Sequence, residues 1–167
     1  IGEGACLELT GTGRMVIGHG ATFNITGNIT DAKAANIADL TPSLIMAGAS
    51  FTGAGVTFNV TNAYIKATAH CSSKNSNANG TFNFNINNSI WEQTGSFVFT
   101  GPTNGMDPTF YLDFKDGVLN CTSHLVFAVT KGEIVFDNSN VNGENARRQI
   151  ENRSNLTVKN GSVVYGA

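Results

Sequence analysis

Leu112-Asp-Phe114-Lys-Asp116 is followed 22 residues later by Ile134-Val-Phe136-Asp-Asn138, and 22 residues later again by Leu156-Thr-Val158-Lys-Asn160. In each segment the first and third residues are apolar and the fifth is Asn or Asp. Three upstream segments fall on the same template: Phe23-Asn-Ile25-Thr-Gly27, Phe58-Asn-Val60-Thr-Asn62 and Phe84-Asn-Ile86-Asn-Asn88. Only Gly27 departs at the fifth place. Alternation with a period of two marks a strand with one buried face. Its recurrence every twenty to thirty-five residues marks a solenoid, in which each unit covers the apolar face of the next.

The stacked segments define columns. Phe23, Phe58, Phe84, Leu112, Ile134 and Leu156 form one inward column, and Ile25, Val60, Ile86, Phe114, Phe136 and Val158 another. Asn24, Asn59, Asn85, Asp113, Val135 and Thr157 point outward. The fifth residue suits a corner, because Asn and Asp tolerate left-handed backbone and bond their own backbone locally. Stacked corners then predict a side-chain ladder of Asn62, Asn88, Asp116, Asn138 and Asn160. Three residues beyond each fifth place lies a further column: Thr30, Ile65, Trp91, Leu119, Val141 and Val163. Phe97-Val-Phe99 and Leu125-Val-Phe127 supply another strand per repeat, so three short strands are expected in each turn. Leu7-Glu-Leu9 and Met15-Val-Ile17 read as one shorter turn at the start.

The expected architecture is therefore a single all-β domain over 1–167, a right-handed parallel β-helix of about six or seven rungs. Insertions are placed near 31–45, 72–80 and 101–108. The Ala-rich stretch Asp31 to Leu40 suits a short helix capped by Thr30 or Asp31. The alternative is a β-sandwich or jelly roll, since many short alternating strands, with Asp116-Gly117 and Asn160-Gly161 as hairpin turns, also fit that fold.

Composition limits the function. Charged residues are 13 % of the chain and the formal net charge is −2, which gives no electrostatic case for nucleic acid or anionic lipid. No apolar run is long enough to span a bilayer as a helix. The polar surface is carried instead by 21 Asn and 18 Thr, neutral donors and acceptors of the kind that sugars match. Asn24, Asn28, Asn59, Asn79, Asn87, Asn120, Asn152, Asn155 and Asn160 each begin an Asn-x-Ser/Thr acceptor pattern, which suits an extracellular or surface glycoprotein. The chain starts at Ile1 and ends at Gly166-Ala167 without a polar cap, so an excised form whose ends stack on a neighbour is expected. Cys6, Cys71 and Cys121 allow one disulfide, Cys71–Cys121, or buried thiols.

Stacked apolar-x-apolar-x-Asn/Asp corners at about 22 residues, covering roughly residues 20 to 167, resemble the pectin-lyase-like superfamily of right-handed β-helices. That resemblance implies polysaccharide lyases and hydrolases, phage tailspikes or bacterial surface adhesins, and architecture does not choose among them. Gly18-His19-Gly20 is similar to an element of polygalacturonases, but the aspartate and Arg-Ile-Lys motifs that accompany it there are missing from this chain.

Weighed residue by residue, Asp113, Glu133 and Asp137 are the candidates for acid–base chemistry, since carboxylates on neighbouring rungs can share a proton. The plain alternative is solvated charge, and no catalytic set is assigned. Tyr64 and Tyr111, with Asn85 and Asn87, are the candidates for stacking on and hydrogen bonding to a glycan. His70-Cys71 and Cys121-Thr-Ser-His124 have the residue types of a zinc site, but adjacent strand residues point oppositely, so no metal or other cofactor is expected. Trp91 belongs to a core column. The Thr-x-Asn-x-Thr strands at Thr22 and Thr57 begin a flat threonine array of the ice-binding kind, which Tyr111, Lys115 and Glu133 interrupt. Arg147, Arg148 and Arg153 form a small basic group expected in a solvated loop. The expectation is a non-enzymatic structural or adhesive protein that self-associates at the cell or virion surface. Glycan recognition is the first alternative and polysaccharide cleavage the second.

Overall fold

A computed structural model describes residues 1–9, 11, 14–51, 55–72, 79–100, 107–143, 148–150 and 155–165. Its strands form three sheets. Sheet A contains β1 (Leu7–Glu8), β4 (Leu44–Met46), β7 (Tyr64–Ala67), β10 (Ile90–Gln93), β13 (Val118–Cys121), β16 (Asn140–Gly143) and β19 (Val163–Tyr165). Sheet B contains β2 (Arg14–Ile17), β5 (Gly48–Phe51), β8 (Cys71–Ser72), β11 (Phe97–Thr100), β14 (Leu125–Ala128) and β17 (Arg148–Ile150). Sheet C contains β3 (Thr22–Thr26), β6 (Val56–Thr61), β9 (Thr81–Asn87), β12 (Thr109–Lys115), β15 (Lys131–Asp137) and β18 (Asn155–Lys159).

Neighbours within a sheet are three strands apart in the chain, and every pairing is parallel. Each turn of the coil thus lays one strand on each sheet, which makes the molecule a parallel β-solenoid. A sandwich of hairpins is excluded by the same pairings, and Asp116-Gly117 and Asn160-Gly161 are corners of the coil.

Sheet C pairs in the register of the six aligned segments: Phe23 with Phe58, Phe58 with Phe84, Phe84 with Leu112, Leu112 with Ile134, and Ile134 with Leu156. Inside, Phe23 stacks on Phe58 of the next turn with centroids 5.2 Å apart, while Phe99 of sheet B meets Phe84 edge-on at 5.0 Å and Phe110 at a tilt at 4.5 Å across the core. Edge and tilted geometries of this kind add to the burial itself. Trp91 is fully buried, as its column requires. Its indole Nε1 donates to Gln93 Oε1 at 3.1 Å, and Gln93 in turn donates to the Ala69 carbonyl. A buried amide thereby satisfies the one polar atom that the tryptophan brings inside.

Two alignments of the following column are corrected. The position opposite Ile65 is filled by Leu44, and Thr30 lies outside the sheet. Residues 28–43 have been inserted at that corner, ahead of a β4 that is already strand at Leu44. At the last turn Val164, and not Val163, pairs with Val141. Asn160 and Gly161 both take positive φ there, 53° and 76°, so this corner holds one residue more than the others and Val163 is turned outward.

The Asp31–Leu40 stretch is not an α-helix. Asp31 Oδ1 accepts from the backbone N–H groups of Lys33 (3.0 Å) and Ala34 (3.1 Å), which tightens a turn. A 3-10 helix follows at Ile37–Asp39, capped by Asn36. This strap lies on the outer face of sheet A, where Ile29 and Ala32 pack with Tyr64, Ile90 and Val118. Most of the 72–80 and 101–108 insertions, as well as Arg147, Asn152 and Arg153, fall outside the described residues.

Candidate functional site

The only non-glycine residues with positive φ among those described are Asn62 (54°), Asn88 (43°), Asp116 (53°), Asn138 (49°) and Asn160 (53°), the five predicted corners. Gly27, at the sixth, serves a different need. A Cβ there would collide with the Asn62 carbonyl oxygen and crowd Ala63 and Ser43. The ladder itself is discontinuous. Asn88 Nδ2 donates to Asn62 Oδ1 at 2.9 Å and Asn138 Nδ2 to Asp116 Oδ1 at 2.7 Å. Asn160 reaches Asp137 Oδ1 at 2.6 Å in place of Asn138. The strap occupies the remaining valences: Asn88 accepts from Ala32 N–H and donates to the Ile29 and Thr30 carbonyls, and Lys33 Nζ donates to Asn138 Oδ1 at 2.7 Å. Between strap and corners lies a polar groove of about 490 Å³ lined by Thr30, Asp31, Lys33, Asn88 and Asp116, among others.

The outer face of sheet C carries a second amide ladder that corner reasoning did not foresee. Asn59 Nδ2 donates to Asn24 Oδ1 and Asn85 Nδ2 to Asn59 Oδ1, each at 2.8 Å. Asn142 and Asn120 form a like pair on sheet A at 2.8 Å. The signal was present: consecutive Asn in one outward column of a parallel sheet meet at one strand spacing.

A cleft of about 290 Å³ opens where the sheet C ladder ends, lined by Asn59, Thr61, Asn85, Asn87, Asp113 and Lys115. Tyr111, on the same face two residues before Asp113, is 44 % exposed. Of the four predicted glycan residues, Asn85 and Asn87 line this cleft and Tyr111 lies on the same face beside it. Tyr64 is not with them. It lies on sheet A beneath the strap, 4 % exposed, with its hydroxyl donating to Glu92. Burial and then the Glu92 carboxylate push its pKa well above the usual tyrosine value. The strap, an insertion no periodicity could place, is what covers it.

The three carboxylates are dispersed. Asp113 is opposite Asn85 and Val135, Glu133 opposite Tyr111 and Asn155, and Asp137 opposite Lys115 and Lys159. No two face each other directly. Glu133 accepts from Thr157 Oγ1 at 3.5 Å. Asp137 is held below the usual aspartate range, chiefly by the hydrogen bond from Asn160 and further by Lys159 at 3.5 Å.

No disulfide joins the cysteines, and Cys71 and Cys121 are buried on sheets B and A, so the disulfide option is dropped. His70 Nδ1 accepts from Ser96 N–H at 3.0 Å, and no group of three His, Cys, Asp or Glu among the described residues is placed to hold a metal. His19 lies in an exposed turn between β2 and β3. Of the nine acceptor asparagines, Asn24, Asn28, Asn79, Asn87, Asn155 and Asn160 are exposed, Asn59 and Asn120 half-buried, and Asn152 outside the described residues. No helix among the described residues is long and apolar enough to cross a membrane.

These features define a parallel β-solenoid with a neutral, amide-lined face. Comparison with protein-family models, with curated proteins and with solved structures finds no match to this chain.

Proposed function

We propose that this chain is a non-catalytic structural and adhesive solenoid of an extracellular surface or fibre, as its asparagine-rich faces and exposed glycosylation patterns suit. The observation that carries this reading is the outer face of sheet C. Amides there are in register and hydrogen-bonded to one another from turn to turn, while the carboxylates are spread over three columns. Such a face is close to neutral and rich in donors and acceptors, and among its described residues no two carboxylates face each other as a proton-sharing pair. Self-association is part of the proposal. Leu156 and Val158, in the inward columns that Phe58 to Phe136 fill as core, are 43 % and 47 % exposed on β18, which has no further partner strand among the described residues.

Electron microscopy of the purified protein, together with an assay for new reducing ends or unsaturated products on a panel of polysaccharides, tests the reading. Filaments or discrete oligomers without cleavage are expected. Cleavage of any polysaccharide refutes the non-catalytic role, and monomers at all concentrations refute self-association. Glycan recognition is the second reading, favoured by the exposed Tyr111 beside the cleft.

A further inference from the structure

We infer that the cleft between β9 and β12 on sheet C is a saccharide site that engages a vicinal diol. The inference deepens the adhesive reading and rests on it. In the outer ladder each amide gives a hydrogen to the preceding turn, Asn59 to Asn24 and Asn85 to Asn59, and turns its carbonyl oxygen toward the next. The ladder stops at Asn85 because the next residue in the column is Asp113. An ionised carboxylate only accepts. Asn85 Oδ1 and the Asp113 carboxylate therefore meet acceptor to acceptor across one strand spacing of about 4.8 Å, and no hydrogen bond joins them.

The groups around this break make no short contacts of their own. Among the described residues no side-chain hydrogen bond or close ion pair is made by Asp113 or Lys115. Lys115 is opposite Asp137 and acts on it at longer range, while Asn160 and Lys159 engage that carboxylate directly. Asn87, opposite Lys115, exposes its amide to the same cleft. The set is thus two acceptors in one column, two donors in the next, and an exposed aromatic ring on the other side.

This order selects a ligand chemistry. An anion is opposed by Asp113 and a cation by Lys115. A hydroxyl donates and accepts at once, and two neighbouring hydroxyls satisfy both columns. Their hydrogens go to Asn85 Oδ1 and Asp113, and their oxygens accept from Lys115 Nζ and Asn87 Nδ2. The Tyr111 ring offers a face for the C–H groups of a pyranose.

The test is two-dimensional amide NMR with methyl α-mannoside, methyl β-galactoside and methyl β-glucoside, each to about 50 mM, above the millimolar constants of ligands with few contacts. At least one should shift the side-chain amides of Asn85 and Asn87 and the backbone of Tyr111 to Lys115, while its per-O-methylated form should not. Asp113→Asn supplies a donor that engages Asn85 Oδ1, closes the ladder, and replaces the carboxylate by a neutral amide oxygen turned toward the next turn. It should weaken binding by about tenfold or more with no fall in Tm. Tyr111→Ala should weaken it severalfold. Absence of shifts with all three glycosides, or wild-type binding by Asp113→Asn, overturns the site. A glycan array run in parallel separates the two levels: if both wild type and Asp113→Asn bind the array, only this site falls. If the wild type binds neither array nor glycosides, glycan adhesion falls with it.

Discussion

Asn138 does at one residue what the fold needs at every corner from Asn62 to Asn160. Its φ of 49° turns the chain from sheet C to sheet A, and its amide joins Asp116 to the strap lysine. Left-handed geometry costs an L-residue with a Cβ about 1–2 kcal/mol, and glycine escapes it. Asn138→Gly and Asn138→Ala lose the same hydrogen bonds, so the alanine variant should be less stable by about 1 kcal/mol in urea unfolding. Gly132 is a sharper case. It faces Phe110 across sheet C with φ 109°, and a Cβ would fall inside contact distance of the Phe110 carbonyl oxygen. Gly132→Ala should destabilise by about 3 kcal/mol or more, since strain and overlap act together. Asp137 sets the acid response of its corner. Its pKa is lowered in the fold, so its contribution is complete above the ordinary aspartate value of about 4 and is lost as pH falls through the lowered one. An acid titration of stability should show this loss in the wild type and less of it in Asp137→Asn. The corner residues were legible because a positive φ restricts residue type so strongly. The role of Gly27 was not, since close approach of Asn62 and Ser43 depends on the neighbouring turn.

Among the elements, the sheet C strands were readable to the register, and the strap was not. Period-two alternation identifies a strand, and the fixed corner aligns it with its neighbours. The strap has no period. Its position depends on Ile29 and Ala32 covering Tyr64, Ile90 and Val118, residues from three other turns. That covering is why Tyr64, placed outward by alternation, is no glycan platform, and why the candidate site keeps Tyr111 alone. Tyr64→Phe should lower stability by about 1–3 kcal/mol by leaving Glu92 without its phenol donor. The raised pKa of Tyr64 gives a second readout. The neutral phenol contributes fully below about pH 10, the unfolded value, and its contribution is lost as pH rises through the folded one. Wild type should therefore show a tyrosinate step that coincides with alkaline unfolding, and Tyr64→Phe should lack it.

At the scale of the whole molecule, each turn apart from the strap touches only its neighbours, so the stability of the coil is close to a sum over turns and interfaces, with the strap tying several turns together. Central turns have two neighbours and β18 has one. Amide exchange should accordingly be slowest in β9 and β12 and fastest in β18. Leu112→Ala should cost about 2–5 kcal/mol, and Leu156→Ala, in the same column but 43 % exposed, about 1 kcal/mol or less. Repetition made the coil legible from one dimension of sequence. The break in the outer ladder was also written there, as Asp113 following three asparagines in a column, but its meaning required knowing which way the amides point.

The bond from Lys33 to Asn138 spans 105 positions of the chain. Turns close in sequence coil by local steps, whereas this link joins a segment near the beginning to a corner laid down near the end. A chain emerging with its first residues leading has the strap early and its anchor late. Residue 33 must wait until the fifth corner has formed, and during that wait the patch on Tyr64, Ile90 and Val118 is only partly sheltered. The Lys33 end of the strap is therefore a clasp that fastens only once the Asn138 corner is laid down, although it stands nearly first in the chain.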